Sequence, residues 1–224
     1  AKVDAQVLWD FSHSVGAVPI DVQSDGVTLA VGCTYKYLNG GPGAPAFIYV
    51  RSDQDNLVNP ITGWFGTADP FSFDPSSPPA SGIERFLTGT PHVVSAALIR
   101  PGVEMLLEAG MERVYEKSVS LSQRFIELCD EHLASLGFEV RSPRDPEDRG
   151  SHVALFHPDA QAVGLALINE KSVIPDFRPP DLLRFGFAPL YTSFADVDLT
   201  VSRIMEAVED GGVDRWRNKN PLVP

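Results

Sequence analysis

Two short segments near the start of the chain hold the residue types that could do covalent chemistry. Asp10 and His13 stand in WDFSH, and Tyr35 and Lys36 stand in TYKYLNGGPG. Desolvation lowers the pKa of a lysine, and the neutral amine it favours is a nucleophile. Lys36, flanked by Tyr35 and Tyr37 and followed by a glycine-rich turn, is therefore a candidate Schiff-base lysine. A surface lysine before a turn is the plainer alternative. Asp10 shifts the balance, because a pyridine-type electron sink needs a carboxylate that keeps its ring nitrogen protonated. Asp10 could instead cap a helix or close a turn, and His13 taken alone reads as a hydrogen-bonded structural histidine. GGPGAP matches neither a Walker loop nor a dinucleotide fingerprint.

The elements that must position these groups are strands. AQVLWDFSH, GVTLAVGCTYKY and PAFIYV are short, rich in β-branched and aromatic residues and bounded by turn residues, so they read as three buried strands. Asp10 and His13 then sit at the C-terminal end of the first strand, and Tyr35 and Lys36 at that of the second. Ligands of open α/β sheets bind in the crevice outside those ends, which suits a pyridoxal phosphate (PLP) site. Residues 51 to about 90 show no sustained period and many prolines, as in DPFSFDPSSPPASG, the mark of a functional loop. Thr90 followed by Pro91 reads as a helix N-cap opening HVVSAALI. Pro101 should break or kink that helix, and Gly110 should end the next piece. A helical period then runs to Gly137, a C-cap. FEVRSP, SHVALFHP, AQAVGLALINEK, LLRFGF and ADVDLTVSRIMEAVED interleave strands with helices, as in a small α+β domain. The expected division is a large-domain part over residues 1–120 and a small domain over 121–224.

The formal net charge of −12 repels phosphate backbones and anionic lipid, which speaks against nucleic-acid and membrane partners. No run of about 18 apolar residues is present to span a bilayer. Cys33 and Cys129 lie far apart with no CxxC or Cys/His cluster, so neither a disulfide framework nor a metal site is expected, and a reducing, cytoplasmic setting is the simplest. No signal peptide is visible, although residue 1 is alanine and not methionine.

The stretch DFSHSVGAVPIDV followed by GCTYKYLNGGPGAPAFIYV, with GWFGTADPFSFD and RFLTGTP downstream, closely resembles kynureninases. The four ordered motifs cover residues 7 to about 92. The resemblance implies an α/β fold: the C-terminal part of the fold-type I PLP-dependent transferase large domain, mostly parallel in its sheet, followed by a small α+β domain. It implies PLP as cofactor, with Lys36 as the lysine that carries it and Tyr35 on its phosphate. Asp10 and His13 would contact the cofactor and its surroundings. Trp64 and Thr90 would reach a cofactor phosphate across a homodimer interface. This family usually has histidine after GWFG, where this chain has Thr67. Arg184 in LLRFGFAPLY resembles the small-domain arginine that clamps a substrate α-carboxylate, with Arg178 near enough to compete.

The implied activity is hydrolysis of L-kynurenine, or its 3-hydroxy derivative, to an anthranilate and L-alanine in tryptophan catabolism. Lys36 would move the α-proton and Tyr35 would relay a proton as the Cβ–Cγ bond breaks. A cysteine desulfurase or related class V enzyme would share Asp10 and Lys36 but needs a cysteine on a mobile loop, which neither Cys33 nor Cys129 supplies. A non-catalytic dimerisation fragment is the third reading. Kynureninase-like chains carry further strands and cofactor contacts ahead of the segment matching Asp10. The strand with Val7 and Leu8 is thus expected to show an unpaired edge or an uncovered apolar face.

Overall fold

The computed structural model describes residue 3 and residues 5–219. The chain divides into two compact units, one ending at Glu108 and the next beginning at Ala109. No helix among the described residues is long and apolar enough to cross a membrane.

The first unit is built on a three-stranded sheet in the order β1 (Leu8–Asp10), β2 (Leu29–Gly32), β3 (Phe47–Val50). β1 runs parallel to β2 with Asp10 beside Val31, and β3 runs antiparallel to β2. Among the described residues the sheet therefore holds one parallel and one antiparallel pairing. Three strands form within the short β-branched and aromatic runs that predict them, but they are not all buried. Only β2 has buried positions, and Leu8, Trp9 and the preceding Val7 are all more than half exposed. β1 ends the strand order, so the edge expected at Val7 and Leu8 is there. A small core of Phe11, Val27 and Ala30 lies beside it.

Residues 51–92 are irregular, with single 3-10 turns at Trp64–Gly66 and Gly82–Phe86 and one bridge between Thr67 and Pro79. Helix α1 (Val93–Ala109) follows, and it corrects the expected cap. It starts three residues after Thr90, so that threonine is not its cap. The amide of Val93 instead meets the Pro91 carbonyl at 2.8 Å. It also runs through Pro101 without a break. Gly110, at φ 82°, separates it from α2 (Met111–Leu128).

The second unit surrounds a denser core. α2 passes into a π turn at Cys129–Leu133 and a 3-10 turn at Ala134–Leu136, then stops at Gly137, whose φ of 89° is the left-handed cap conformation glycine favours. β4 (Glu139–Val140), β5 (His152–Phe156), β6 (Asp176–Arg178) and β7 (Leu182–Gly186) form an antiparallel sheet in the order β4-β5-β7-β6. α3 (Ala160–Glu170), α4 (Phe194–Glu209) and α5 (Gly212–Trp216) complete the unit. Period-two alternation gives this sheet two different faces. Val153, Leu155, Leu183 and Phe185 are buried in the core, whereas Ala154, Phe156, Leu182 and Arg184 on the other face are half-buried. Phe125 of α2 packs at 5.1 Å against both Phe185 and Phe187. A capping box, Ser193 with Asp196, opens α4.

His157 follows β5 in this core. It is 7% exposed, lies 4.4 Å from Phe138 between ring centres, and its Nδ1 accepts the Asp159 amide at 3.0 Å. That bond requires an unprotonated Nδ1, and burial accordingly pushes the imidazole pKa below its ordinary value. A histidine kept neutral in the fold binds its proton first in the unfolded chain, so stability falls as pH drops below the ordinary histidine value of about 6.5. The urea midpoint should therefore decline from pH 7 to pH 5.5, and the decline should be shallower in His157→Asn. Equal slopes for the two proteins would assign the pH dependence to other groups.

Candidate active site

The parallel pairing of β1 with β2 brings both C-terminal strand ends to one edge of the sheet. It continues one residue further, where the Phe11 amide meets the Val31 carbonyl at 2.8 Å. The chain then turns, and Asp10 Oδ1 accepts the Ser12 amide at 2.8 Å. Ser12 ties the two strand ends together: its Oγ accepts the Cys33 amide at 3.3 Å, and its carbonyl accepts the Cys33 thiol at 3.6 Å.

Lys36 lies in the loop that leaves β2. Buried Thr34 donates its hydroxyl to the Pro45 carbonyl at 2.6 Å, and its own carbonyl accepts the Gly40 amide at 2.9 Å. The Lys36 carbonyl accepts the Asn39 amide at 2.9 Å. Two glycines let neighbouring backbone close on this loop. A β-carbon on Gly102 of α1 would stand 2.3 Å from the Leu38 carbonyl oxygen, and one on Gly16 would stand 2.9 Å from Tyr37 backbone atoms. No side chain fits at such distances, so α1 and the loop after Asp10 grip the lysine turn from its backbone.

The groups at this edge sense one another. Donation from the Ser12 side chain and backbone, then attraction to Lys36 and His13, hold the Asp10 carboxyl below its ordinary value. Lys36 Nζ sits 5.3 Å from the centre of the exposed Tyr35 ring, and Lys36 and His13 are half-buried. An ionised carboxylate, an amine and a phenol thus share one sheet edge. This donor set fits PLP: a carboxylate for its ring nitrogen and an amine for its aldehyde.

Trp64 and Thr90 belong to a second cluster, inside the irregular segment. Trp64 opens the 3-10 turn and packs against Phe65, Phe71 and Phe73 with ring centres 4.9, 5.9 and 6.3 Å away. A cleft of about 450 Å³ beside it is lined by Gly63, Trp64, Thr67, Asp69, Phe73 and neighbours. The GWFG turn is pressed onto the RFLTG strip. A β-carbon on Gly63 would lie 1.5 Å from the Thr88 carbonyl oxygen, and one on Gly89 would lie 3.9 Å from Trp64 Nε1. The structure therefore joins the third and fourth motifs and places exposed Thr90 one residue from the Trp64 contact. Thr67, which stands where histidine is expected, donates its hydroxyl to the Trp64 carbonyl at 3.2 Å and so closes the turn.

Arg184 lies on β7, half-buried, in an ion pair with Asp176. Arg178 pairs with the same Asp176 oxygen at 2.8 Å. Sequence reasoning passed over Asp176, Ser12, Gly16 and Gly102. Ser12 was legible as an Asx turn in D-x-S; β6, only three residues long, carries too short a pattern to announce Asp176.

Comparison with known proteins agrees with these motifs. Residues 114–204 match the family model described as the kynureninase C-terminal domain. The chain is 43% identical to a kynureninase of Pseudomonas fluorescens, covering 86% of this chain and 46% of that protein. It is 40% identical to a kynureninase of Burkholderia mallei (strain SAVP1), covering 96% of this chain and 51% of that protein. The chain thus spans about half the length of the curated relatives it matches. A cysteine desulfurase from Thermococcus onnurineus NA1 shares the fold, with a TM-score of 0.77 over 92% of this chain and 53% of that one at 19% identity. The architecture is thus that of the C-terminal part of this class V PLP-enzyme fold.

The contrast between Gly63 and Gly89 can be checked directly. Overpacking a rigid site costs about 1–3 kcal/mol or more, so Gly63→Ala should displace the Trp64 turn and expose residues 51–90 to limited proteolysis, while Gly89→Ala should cut at the wild-type rate. Equal resistance of both variants would remove the backbone contact with Thr88 from the account.

Proposed function

We propose that this chain carries the Lys36 part of a kynureninase active site, which hydrolyses L-kynurenine or 3-hydroxykynurenine to the corresponding anthranilate and L-alanine. The observation that carries this reading is the shared sheet edge where Asp10, held ionised, senses Lys36 and His13, in a chain 40–43% identical to kynureninases over most of its length. Asp10 would hold the PLP ring nitrogen, Lys36 its aldehyde, and Tyr35 its phosphate, with His13 alongside. When bound, PLP supplies an electron sink for charge that develops on the substrate α-carbon.

The chain's own residues do the rest. The Lys36 amine moves the substrate α-proton as a general base and acid. The Tyr35 hydroxyl relays a proton as water opens the γ-carbonyl and the Cβ–Cγ bond breaks. Arg184 grips the α-carboxylate with its planar fork. Trp64 and Thr90 serve a cofactor phosphate, in our reading that of a second copy in a homodimer. Exposed apolar side chains along α1, among them Val93, Val94 and Leu98, support such a packing. Two free cysteines are in keeping with a cytoplasmic setting in tryptophan catabolism.

The desulfurase alternative needs a reactive cysteine on an exposed loop. Cys33 directly follows β2 and is hydrogen-bonded to Ser12, while burial pushes the Cys129 thiol far above its ordinary value.

Full-length protein supplied with PLP and kynurenine should generate anthranilate fluorescence, and none should appear with Lys36→Ala. Borohydride reduction and peptide mapping should place the cofactor on Lys36; a label on Lys117 or Lys171 would move the site elsewhere. Arg184→Ala should weaken substrate binding by about 2–4 kcal/mol, the worth of a charge-assisted clamp in a partly desolvated site, and leave PLP binding nearly unchanged. An unaltered KM would transfer the clamp to another residue.

A further inference from the structure

Asp176, Arg178 and Arg184 leave one face of the second sheet together. Asp176 stands directly opposite Arg184 in the antiparallel register, and Arg178 follows it by two residues on the same strand. The residues between them, Phe177 and Leu183, pack into the core on the other side. One oxygen, Asp176 Oδ2, accepts from Arg184 Nη2 and forms an ion pair with Arg178 Nη2 at 2.8 Å. Two cations thus share one anion, and the trio keeps a net positive charge on the sheet's open face.

A guanidinium presents its donors in a rigid plane, so fixing one nitrogen fixes where the others point. Without Asp176, the two arginines repel each other and their long side chains regain rotamer freedom. From this we propose that Asp176 is the positioning residue of the carboxylate clamp: it holds the Arg184 plane toward the α-carboxylate of an amino-acid substrate and draws Arg178 in as the second cation of one anion site. The inference rests on Arg184 being that clamp, and it assigns to Arg178 a supporting place beside Arg184 where the sequence left the two as competitors.

The test uses the full-length, PLP-loaded enzyme. Asp176→Ala should raise the KM for kynurenine about tenfold, a loss of about 1.4 kcal/mol in binding, with kcat within about threefold of wild type. Asp176→Asn keeps an acceptor oxygen opposite Arg184 and should recover most of that loss. Arg178→Ala should raise KM by a smaller factor. A readout that needs no turnover separates this idea from the kynureninase reading: L-alanine and ethylamine binding, followed by cofactor absorbance. Asp176→Ala should weaken L-alanine and leave ethylamine unchanged, whether or not kynurenine is cleaved. If Arg184→Ala leaves L-alanine binding intact, the clamp itself is wrong. A lower KM in both Asp176 variants would make Asp176 a competing anion only, and an unchanged KM with a lower melting temperature would make it merely structural; either result overturns the proposal.

Discussion

The parallel pairing of β1 with β2 is the interaction on which the candidate site depends. Parallel strands finish at the same edge, so residues 26 positions apart in sequence, Asp10 and Lys36, come to sense one another without any long-range side-chain bond between them. Ser12 makes this convergence rigid by bonding to both strand ends. An antiparallel pairing would have sent the two groups to opposite edges.

The two units hold themselves together by different means. The second has the ordinary remedy of a packed apolar core, with Leu121, Phe125 and Leu133 fully buried. The first buries Phe11, Val27 and Ala30 as a cluster with Val15, Ile20, Val22, Phe47 and Tyr49 packed against it, and it adds close backbone contacts: Gly102 against Leu38, Gly16 against Tyr37, Gly63 against Thr88. Such contacts fix position sharply because peptide groups cannot rotate out of the way, whereas side chains in a core can repack.

Much of this was readable in the residues. Short apolar runs between turn residues located β2, β3, β5 and β7, the glycines at Gly110 and Gly137 marked helix ends and adopt positive φ, and the proline-rich stretch declared itself irregular. Burial was less legible, because residue type says which segments are apolar and not what covers them; Leu8 and Trp9 lie in a strand read as buried by its composition and are exposed, as the uncovered face expected at Val7 and Leu8 requires. The start of α1 was misplaced because Thr-Pro carries a generic cap pattern, while His92 and Val93 carry no opposing signal. At the candidate site, the residue types of Asp10 and Lys36 pointed to chemistry directly, whereas Arg184 stood out through the resemblance carried by LLRFGFAPLY. Asp176 was invisible because its part is set by a cross-strand register, which no local window contains.

The two-faced sheet of the second unit has an evolutionary consequence. Its core side chains and its outward side chains alternate along the same strands, so a substitution at Ala154, Phe156 or Leu182 alters the half-buried face while Val153, Leu155 and Leu183 stay packed in the core. Effects at sites that share no packing partners tend to add. If that face serves the proposed carboxylate clamp, its preference can therefore drift through single mutations that leave the packed core untouched.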